Sequence, residues 1–210
     1  MKKIISLENH PRRTHFEYFN SLAFPYMGMT AEVDVTNPIR FAKTRNASTF
    51  LAILWCASRA ANGVPELRQR IENGQIVEYD HCLTGHTVAL PDRTFCNCTT
   101  DSRHEAGDFL IHAARLQEEA KLHPGFVNKD EDEEAGMIFT SCVPWVAFTQ
   151  VIQPAPIPAD CHPRIVFGKY IHRDGRVYMP LHIQCNHALV DGWHISEFYR
   201  LFQEFADSLT

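Results

Sequence analysis

Near the end of the chain, the segment Val177–His194 sets a histidine, a carboxylate and a glycine at fixed spacing: His187, Asp191 and Gly192. From Val177 to Cys185 the odd positions are Val, Met, Leu, Ile and Cys, while the even positions from Pro180 include His182, Gln184 and Asn186. That alternation predicts a strand with one buried and one more polar face. From Trp193 the period changes, and Ile195, Phe198, Tyr199, Phe202 and Phe205 recur at helical spacing. His187 therefore stands where a strand ends and before a helix begins, a place where a rigid scaffold presents a side chain to a cleft. An imidazole with a pKa of about 6.5 is largely neutral at pH 7 and accepts a proton at little cost, which suits a general base. Asp191 invites a hydrolase-like triad with it. Spacing of this kind is shared with many structural histidines, so the reading needs companions elsewhere in the chain.

No metal is expected. Cys96-Asn-Cys98 is too closely spaced for a zinc knuckle and has no second cysteine pair to match it. The twelve histidines are scattered, with no His-x-x-x-His helix and no accompanying carboxylate set. The acidic run Lys129–Glu134 reads as a solvated surface loop.

Several elements could hold such chemistry in place. Thr49 to Ala61 is apolar on nearly all sides, with Asn46 or Ser48 as cap and Gly63 as stop, and predicts a helix buried in the core. Pro65–Ile71 reads as a short helix with proline in its first turn and Asn73-Gly74 ending it. Strands are predicted at Ile76–Tyr79, Thr87–Leu90 and Thr94–Thr99. Ser102–Glu105 has the spacing of a capping box and opens a helix carrying Phe109, Leu110, Ala113, Ala114 and Leu116. Further strands are predicted at Met137–Ser141, Trp145–Thr149, Ile165–Ile171 and Val177–Asn186, with an Asp174-Gly175 turn between the last two. The proline-rich stretch Pro154–Pro163 is a loop. Strands interleaved with helices predict an α/β (α+β) two-layer sandwich, a sheet covered by helices.

The 210 residues, 45% hydrophobic, suffice for one core, and no repeat or linker divides them, so residues 1–210 read as a single domain. A net charge of −5 with no basic cluster beyond Arg12-Arg13 argues against nucleic-acid or anionic-membrane binding. The start of the chain lacks the apolar core of a signal peptide, and no run approaches a membrane span. Seven cysteines without a secretory signal predict reduced thiols and a cytoplasmic protein.

The run Met-Pro-Leu-His-Ile-Gln-Cys-Asn-His-Ala-Leu-Val-Asp-Gly-Trp-His closely resembles the active-site segment of the chloramphenicol acetyltransferases, where His-His-Ala-x-x-Asp-Gly-Phe-His follows a Leu-Pro-Leu-x-x-Gln-Val strand. Arg12-Arg13-Thr-His-Phe16-Glu17 is similar to that family's Arg-Arg-x-His-Phe-Glu block. Ser141-Cys-Val-Pro144-Trp145-Val-Ala-Phe148 is similar to its Ser-x-x-Pro-Trp-Val-x-Phe block, and Gly168-Lys169-Tyr170 to its Gly/Ala-Lys-Tyr strand. The four blocks keep the family's order and spacing across almost the whole chain.

The resemblance implies a largely antiparallel mixed sheet covered by helices and a homotrimer with active sites between subunits. It also implies acetyl transfer from acetyl-CoA to a hydroxyl of chloramphenicol. His187 is implied as the general base, with its second ring nitrogen held by a backbone carbonyl, and Ser141 as the donor that steadies the oxyanion. Transfer is implied to be direct, without an acyl-enzyme. Asp191 is implied to pair with an arginine of the first block, best matched by Arg12 with Arg13 as the neighbouring alternative, rather than to complete a triad. Trp145, Tyr170 and Lys169 match positions associated with the CoA passage, and Phe19, Val151 and Val166 fall in the acceptor pocket.

The chain departs from the pattern at three places. Asn186 stands where the family usually carries a second histidine. Val166 replaces a threonine that supports the transition state through water, and valine cannot donate a hydrogen bond. After Phe148, Gln150-Val-Ile-Gln153-Pro replaces an apolar and aromatic segment, a poor wall for a nitrophenyl ring. A different small hydroxylated acceptor is therefore the competing expectation. Dihydrolipoamide acyltransferases share the His-x-x-x-Asp-Gly motif, but the lipoyl domains and Pro/Ala-rich linkers they normally bring are not among these residues. A non-catalytic trimer that binds drug or CoA would need neither His187 nor Ser141.

Overall fold

The strand predicted over Val177–Asn186 forms as β10 (Arg176–Asn186) and is the axis of the fold in the computed structural model, which describes residues 1–125 and 136–210. The acidic run Lys129–Glu134 lies outside the described residues. Ahead of β10 come β1 (Lys2–Ile5), α1 (Arg13–Asn20), β2 (Tyr26–Asp34), α2 (Thr36–Thr44) and α3 (Thr49–Gly63). They are followed by β3 (Gln69–Glu72), β4 (Gln75–Tyr79), β5 (Thr84–Ala89), β6 (Phe95–Thr100) and α4 (Ala106–Leu122). Next are β7 (Ile138–Cys142), β8 (Arg164–Phe167) and β9 (Ile171–Arg173), and α5 (Gly192–Ser208) closes the chain. The main sheet runs β2-β10-β8-β7-β5-β6 with β9 also on β10, and β1-β4-β3 forms a small second sheet. All ladders are antiparallel except β5–β7 and β7–β8. This is the expected mixed, largely antiparallel sheet with helices against it.

The odd face of β10 carries the core: Met179, Leu181, Ile183 and Cys185 are at most 1% exposed and share one cluster with α3 and α5. The Ser48 side chain caps α3 by accepting from the Leu51 N–H, and Leu51–Ser58 are all buried, as the all-round apolar pattern requires. The even face of β10 differs from expectation. His182, Gln184 and Asn186 are also buried, because the loop after β7 lies over them: Asn186 Nδ2 donates to the Asp160 carbonyl at 2.9 Å.

The chain between Pro65 and Tyr79 is a correction. Pro65–Arg68 is a single 3-10 turn, and Gln69–Glu72 is β3, paired with β4 rather than helical. Asn73 and Gly74 do not end a helix. Both take positive φ (50° and 76°) and make the tight two-residue turn between β3 and β4, as Asp174 and Gly175 (51° and 74°) do between β9 and β10. Ser102 does not cap α4, whose N-cap is Glu105 without a side-chain bond. Trp145–Thr149 is not a strand. Pro144 has no N–H to offer a ladder, and the segment turns outward with Trp145 76% exposed.

Ile165–Ile171 is two strands because of Pro180. β8 reaches Leu181 at Phe167, and β9 resumes at Ile171 opposite Tyr178. Between them the Gly168 N–H bonds the Pro180 carbonyl at 2.9 Å, and a Cβ on Gly168 would stand 2.4 Å from the proline ring. Four elements ahead of Thr49 (β1, α1, β2 and α2) lie beyond the sequence-based expectation.

One consequence of the packing is measurable in stability. His86 on β5 is 1% exposed, accepts from the Gln117 amide at 3.0 Å, and burial pushes its pKa down to about 4. Between there and the unfolded value of about 6.5 the unfolded chain binds more protons than the folded one. Stability is therefore full above pH 6.5 and falls as pH drops toward 4, by on the order of 3 kcal/mol. Urea unfolding at pH 7 and pH 4.5 should show this loss, with a flatter pH slope in His86→Gln.

Candidate active site

Where β10 ends, the chain turns through His187–Val190 into α5. Asn186 shapes that turn: its Oδ1 accepts from the Ala188 N–H at 3.0 Å, and its carbonyl takes the N–H groups of Leu189 and Val190. The His187 N–H donates to the Pro25 carbonyl at 2.6 Å. Its ring stacks on Phe19 of α1 with centroids 3.7 Å apart and planes 22° apart. Nδ1 lies 2.9 Å from the Val190 carbonyl, which can only accept, so Nδ1 carries the proton and Nε2 keeps its lone pair. That is the tautomer a general base needs.

Asp191 is not a triad partner, since the Val190 carbonyl already holds Nδ1. It is the N-cap of α5, accepting from the Trp193 N–H at 3.0 Å, while His194 Nδ1 takes the Asp191 N–H in return. Of the two arginines, Arg12 pairs with Asp191 through Nη1 and donates from Nη2 to the His187 carbonyl at 3.2 Å. Arg13 faces solvent and pairs with Glu17. Partial burial pulls the Asp191 carboxyl upward, yet His194, Arg12 and the N–H groups of Trp193 and His194 leave it below the usual carboxylate value.

Arg12 and Asp191 are 17% and 33% exposed, so their coupling should fall between that of a surface pair and that of a buried one, roughly 1–3 kcal/mol. Arg12→Ala and Asp191→Ala should each lower stability and activity, and the double mutant should lose less than the sum. A denaturant-unfolding double-mutant cycle measures this.

Ser141 lies on β7, with its hydroxyl 3.2 Å from that of Thr87 on β5. It opens into a cavity of about 960 Å³ whose lining includes Phe50, Trp145, Gly168 and Tyr170, with Arg93 as the one charged residue among the described residues that line it. The Tyr170 hydroxyl bonds Thr49 Oγ1 at 3.2 Å at the cavity wall. Lys169 is exposed and does not line this space. Among the acceptor candidates, Phe19 touches His187 and Val151 lines a second cavity, of about 430 Å³, beside His182. Val166 is 3% exposed and lines neither. Gln153 is turned away from both cavities, donating to the Arg164 carbonyl at 3.2 Å. Thr87 and His182 were not singled out from sequence; only strand register puts them here.

One arrangement matters for mechanism. Ser141 is registered with Val166, and Val166 with His182, so Ser141 is two strands from His182, and His187 lies five residues further along the chain, just past the end of β10. Strand spacing and rise put His187 and Ser141 on the order of 20 Å apart within one chain. Among the described residues no cluster of His, Cys, Asp or Glu could hold a metal, and no helix is long and apolar enough to cross a membrane.

The sequence profile of the chloramphenicol acetyltransferase family matches residues 2–203. A chloramphenicol acetyltransferase of Escherichia coli is 27% identical over 210 residues, spanning 97% of this chain and 93% of that protein. One from Clostridium perfringens is 26% identical over 214 residues, spanning 98% and 94%. A solved chloramphenicol acetyltransferase superposes with a TM-score of 0.88 at 30% identity, covering 100% of both chains. A probable dihydrolipoamide acetyltransferase of Listeria monocytogenes shares the fold, with a TM-score of 0.70 at 16% identity over 99% of this chain and 95% of that one. The profile match and the whole-chain superposition agree, and the chain is an acyltransferase of the chloramphenicol acetyltransferase family.

Proposed function

We propose that this protein transfers the acetyl group of acetyl-CoA to a hydroxyl of chloramphenicol, inactivating the antibiotic, as a cytoplasmic homotrimer. The observation that carries the reading is the His187 ring, with its proton fixed on Nδ1 and Nε2 free. In the reaction, Nε2 takes the proton of the acceptor hydroxyl as its oxygen attacks the thioester carbonyl. The resulting oxyanion accepts from the Ser141 hydroxyl, a contact whose loss typically costs on the order of a hundredfold. Collapse breaks the carbon–sulfur bond, and the departing thiolate recovers the proton from the imidazolium. No acyl-enzyme forms. Acetyl-CoA occupies the cavity bordered by Trp145 and Tyr170, which Ser141 also lines. Lys169, exposed beside that space, meets a phosphate of the cofactor from outside it.

The distance between His187 and Ser141 supports a site shared between subunits, because base and oxyanion donor must both lie about 3 Å from one reacting group. Two different patches on each chain then meet head to tail, and such contacts close into a trimeric ring when each step turns by a third of a full rotation. Phe19 and Val151 belong to the acceptor side of that shared site, with Val166 buried between Ser141 and His182 in the strand register.

A second reading, the same chemistry on another small hydroxylated acceptor, is favoured by the valine at 166 and by the polar His182 and Gln184 near Val151. CoA release measured with chloramphenicol and a panel of alcohols tests both. Chloramphenicol should be acetylated with kcat/KM roughly five- to thirtyfold below that of a family member carrying the threonine, since one hydrogen bond of ~1–2 kcal/mol is missing. Val166→Thr should recover part of it. No turnover at saturating chloramphenicol, with turnover of another alcohol, would establish the second reading.

A further inference from the structure

The cavity of about 430 Å³ lies on the sheet face turned away from the helices, with Thr30, His182 and Gln184 in its floor and Val151 and Ile152 in its wall. His182 and Gln184 are 4% and 6% exposed, yet His182 Nε2 and Gln184 Nε2 have no hydrogen-bond partner among the described residues. Native proteins rarely leave buried polar atoms unpaired, and two in one cavity mark a place where something polar binds. The arrangement is built. Thr30 Oγ1 holds His182 Nδ1 at 2.9 Å and turns Nε2 toward the cavity. Residue 28 must be glycine for the ring to fit, since a Cβ there would stand 2.9 Å from His182 Cε1.

Burial lowers the His182 pKa, so the ring is neutral. Its Nε2 then accepts or donates according to which way the Thr30 hydroxyl points. A ligand hydroxyl satisfies it in both cases, because it does both. Gln184 Nε2 donates, and the same ligand oxygen can accept from it.

The cavity adjoins both halves of the reacting site. Phe24 and Tyr26 in its lining flank Pro25, whose carbonyl takes the His187 N–H. Gln184 is three residues from His187 along the chain, and His182 is two strands from Ser141. Either path is about 10 Å.

Resting on the acyl-transfer reading above, we propose that this cavity grips the far end of the acceptor through a hydroxyl seated on His182 and Gln184, so that the enzyme selects acceptors bearing a second hydroxyl remote from the acetylated one. The probes are 1-octanol and 1,8-octanediol, which share length and reactive group and differ only at the far end. An apolar pocket prefers the octanol. This one should acetylate the diol with kcat/KM about tenfold higher, beyond the twofold statistical advantage of two reactive ends. The preference should collapse in His182→Leu and weaken in Thr30→Val, which frees the ring from its Nδ1 partner. A wild-type ratio of two or less overturns the proposal and assigns the cavity to an ordered water, and that measurement needs no variant to fold. If neither alcohol is acetylated, competition binding to the wild-type protein with CoA present decides the subsite separately from the chemistry: the diol bound no more tightly than octanol overturns it, and the diol bound more tightly upholds it.

Discussion

His187→Ala should lower acetyl transfer by roughly a hundredfold or more while leaving the chain folded. The residue is partly buried and sits in a turn whose other bonds, from Asn186, Arg12 and Pro25, run through backbone groups that the substitution leaves in place. Loss of the ring therefore removes the base without removing the turn. CoA thiol release under saturating acetyl-CoA reads the rate, and the urea midpoint reads the fold. A variant with wild-type turnover would remove His187 from the mechanism. A variant that unfolds would show that the Phe19 stack is needed for stability, and His187→Gln would then be compared.

Mixing two inactive proteins should restore activity. If base and oxyanion donor come from different chains, Ser141→Ala subunits supply His187 and His187→Ala subunits supply Ser141. After denaturation and refolding of an equal mixture, about one site in four of a head-to-tail ring unites the two intact residues. The mixture should therefore regain roughly a quarter of wild-type activity, against parents that are each down on the order of a hundredfold. This effect is large, and a site contained in one chain cannot produce it. Refolded mixtures no more active than their parents would confine the site to single subunits and overturn the shared-site reading, including the separation that supports it.

The substituted positions show how local features and register divide the work. In the sequence Val166 stands for the loss of a water-held hydrogen bond, and Gln153 for a more polar acceptor wall. Gln153 instead spends its amide on the Arg164 carbonyl, while the polar character of the second cavity comes from His182 and Gln184. The sequence placed His182 on the more polar face of β10, but nothing in the alternation distinguishes a solvated face from one covered by a loop. That loop, residues 149–163, contains no regular element, and its place over the sheet is fixed by long-range bonds. Tyr26 to Asp160 and Asn186 to the Asp160 carbonyl are two of them. Burial of the Asp160 carboxyl raises its pKa, and Arg164 and His162 more than reverse that.

The amino-acid sequence by itself determined the local elements whose signals are short-ranged. It fixed the buried helix from Thr49, the strand ending at Asn186, the Asp174-Gly175 turn, and the strand-to-helix junction that carries His187. Each depends on side-chain period or on φ preferences within a few residues. Asn73-Gly74 carried the same turn signal, but its use as a hairpin depended on β4 being there to receive β3. Tertiary structure alone decided what depends on which strand lies beside which. Pro180 splits one expected strand into β8 and β9, Thr87 meets Ser141, and Arg12 rather than Arg13 reaches Asp191. Two nitrogens that are unpaired among the described residues also come to share one cavity. The physical reason is that register and strand order are set by closure of the whole sheet against its core, and chain separations of up to 179 residues, as between Arg12 and Asp191, leave no local trace.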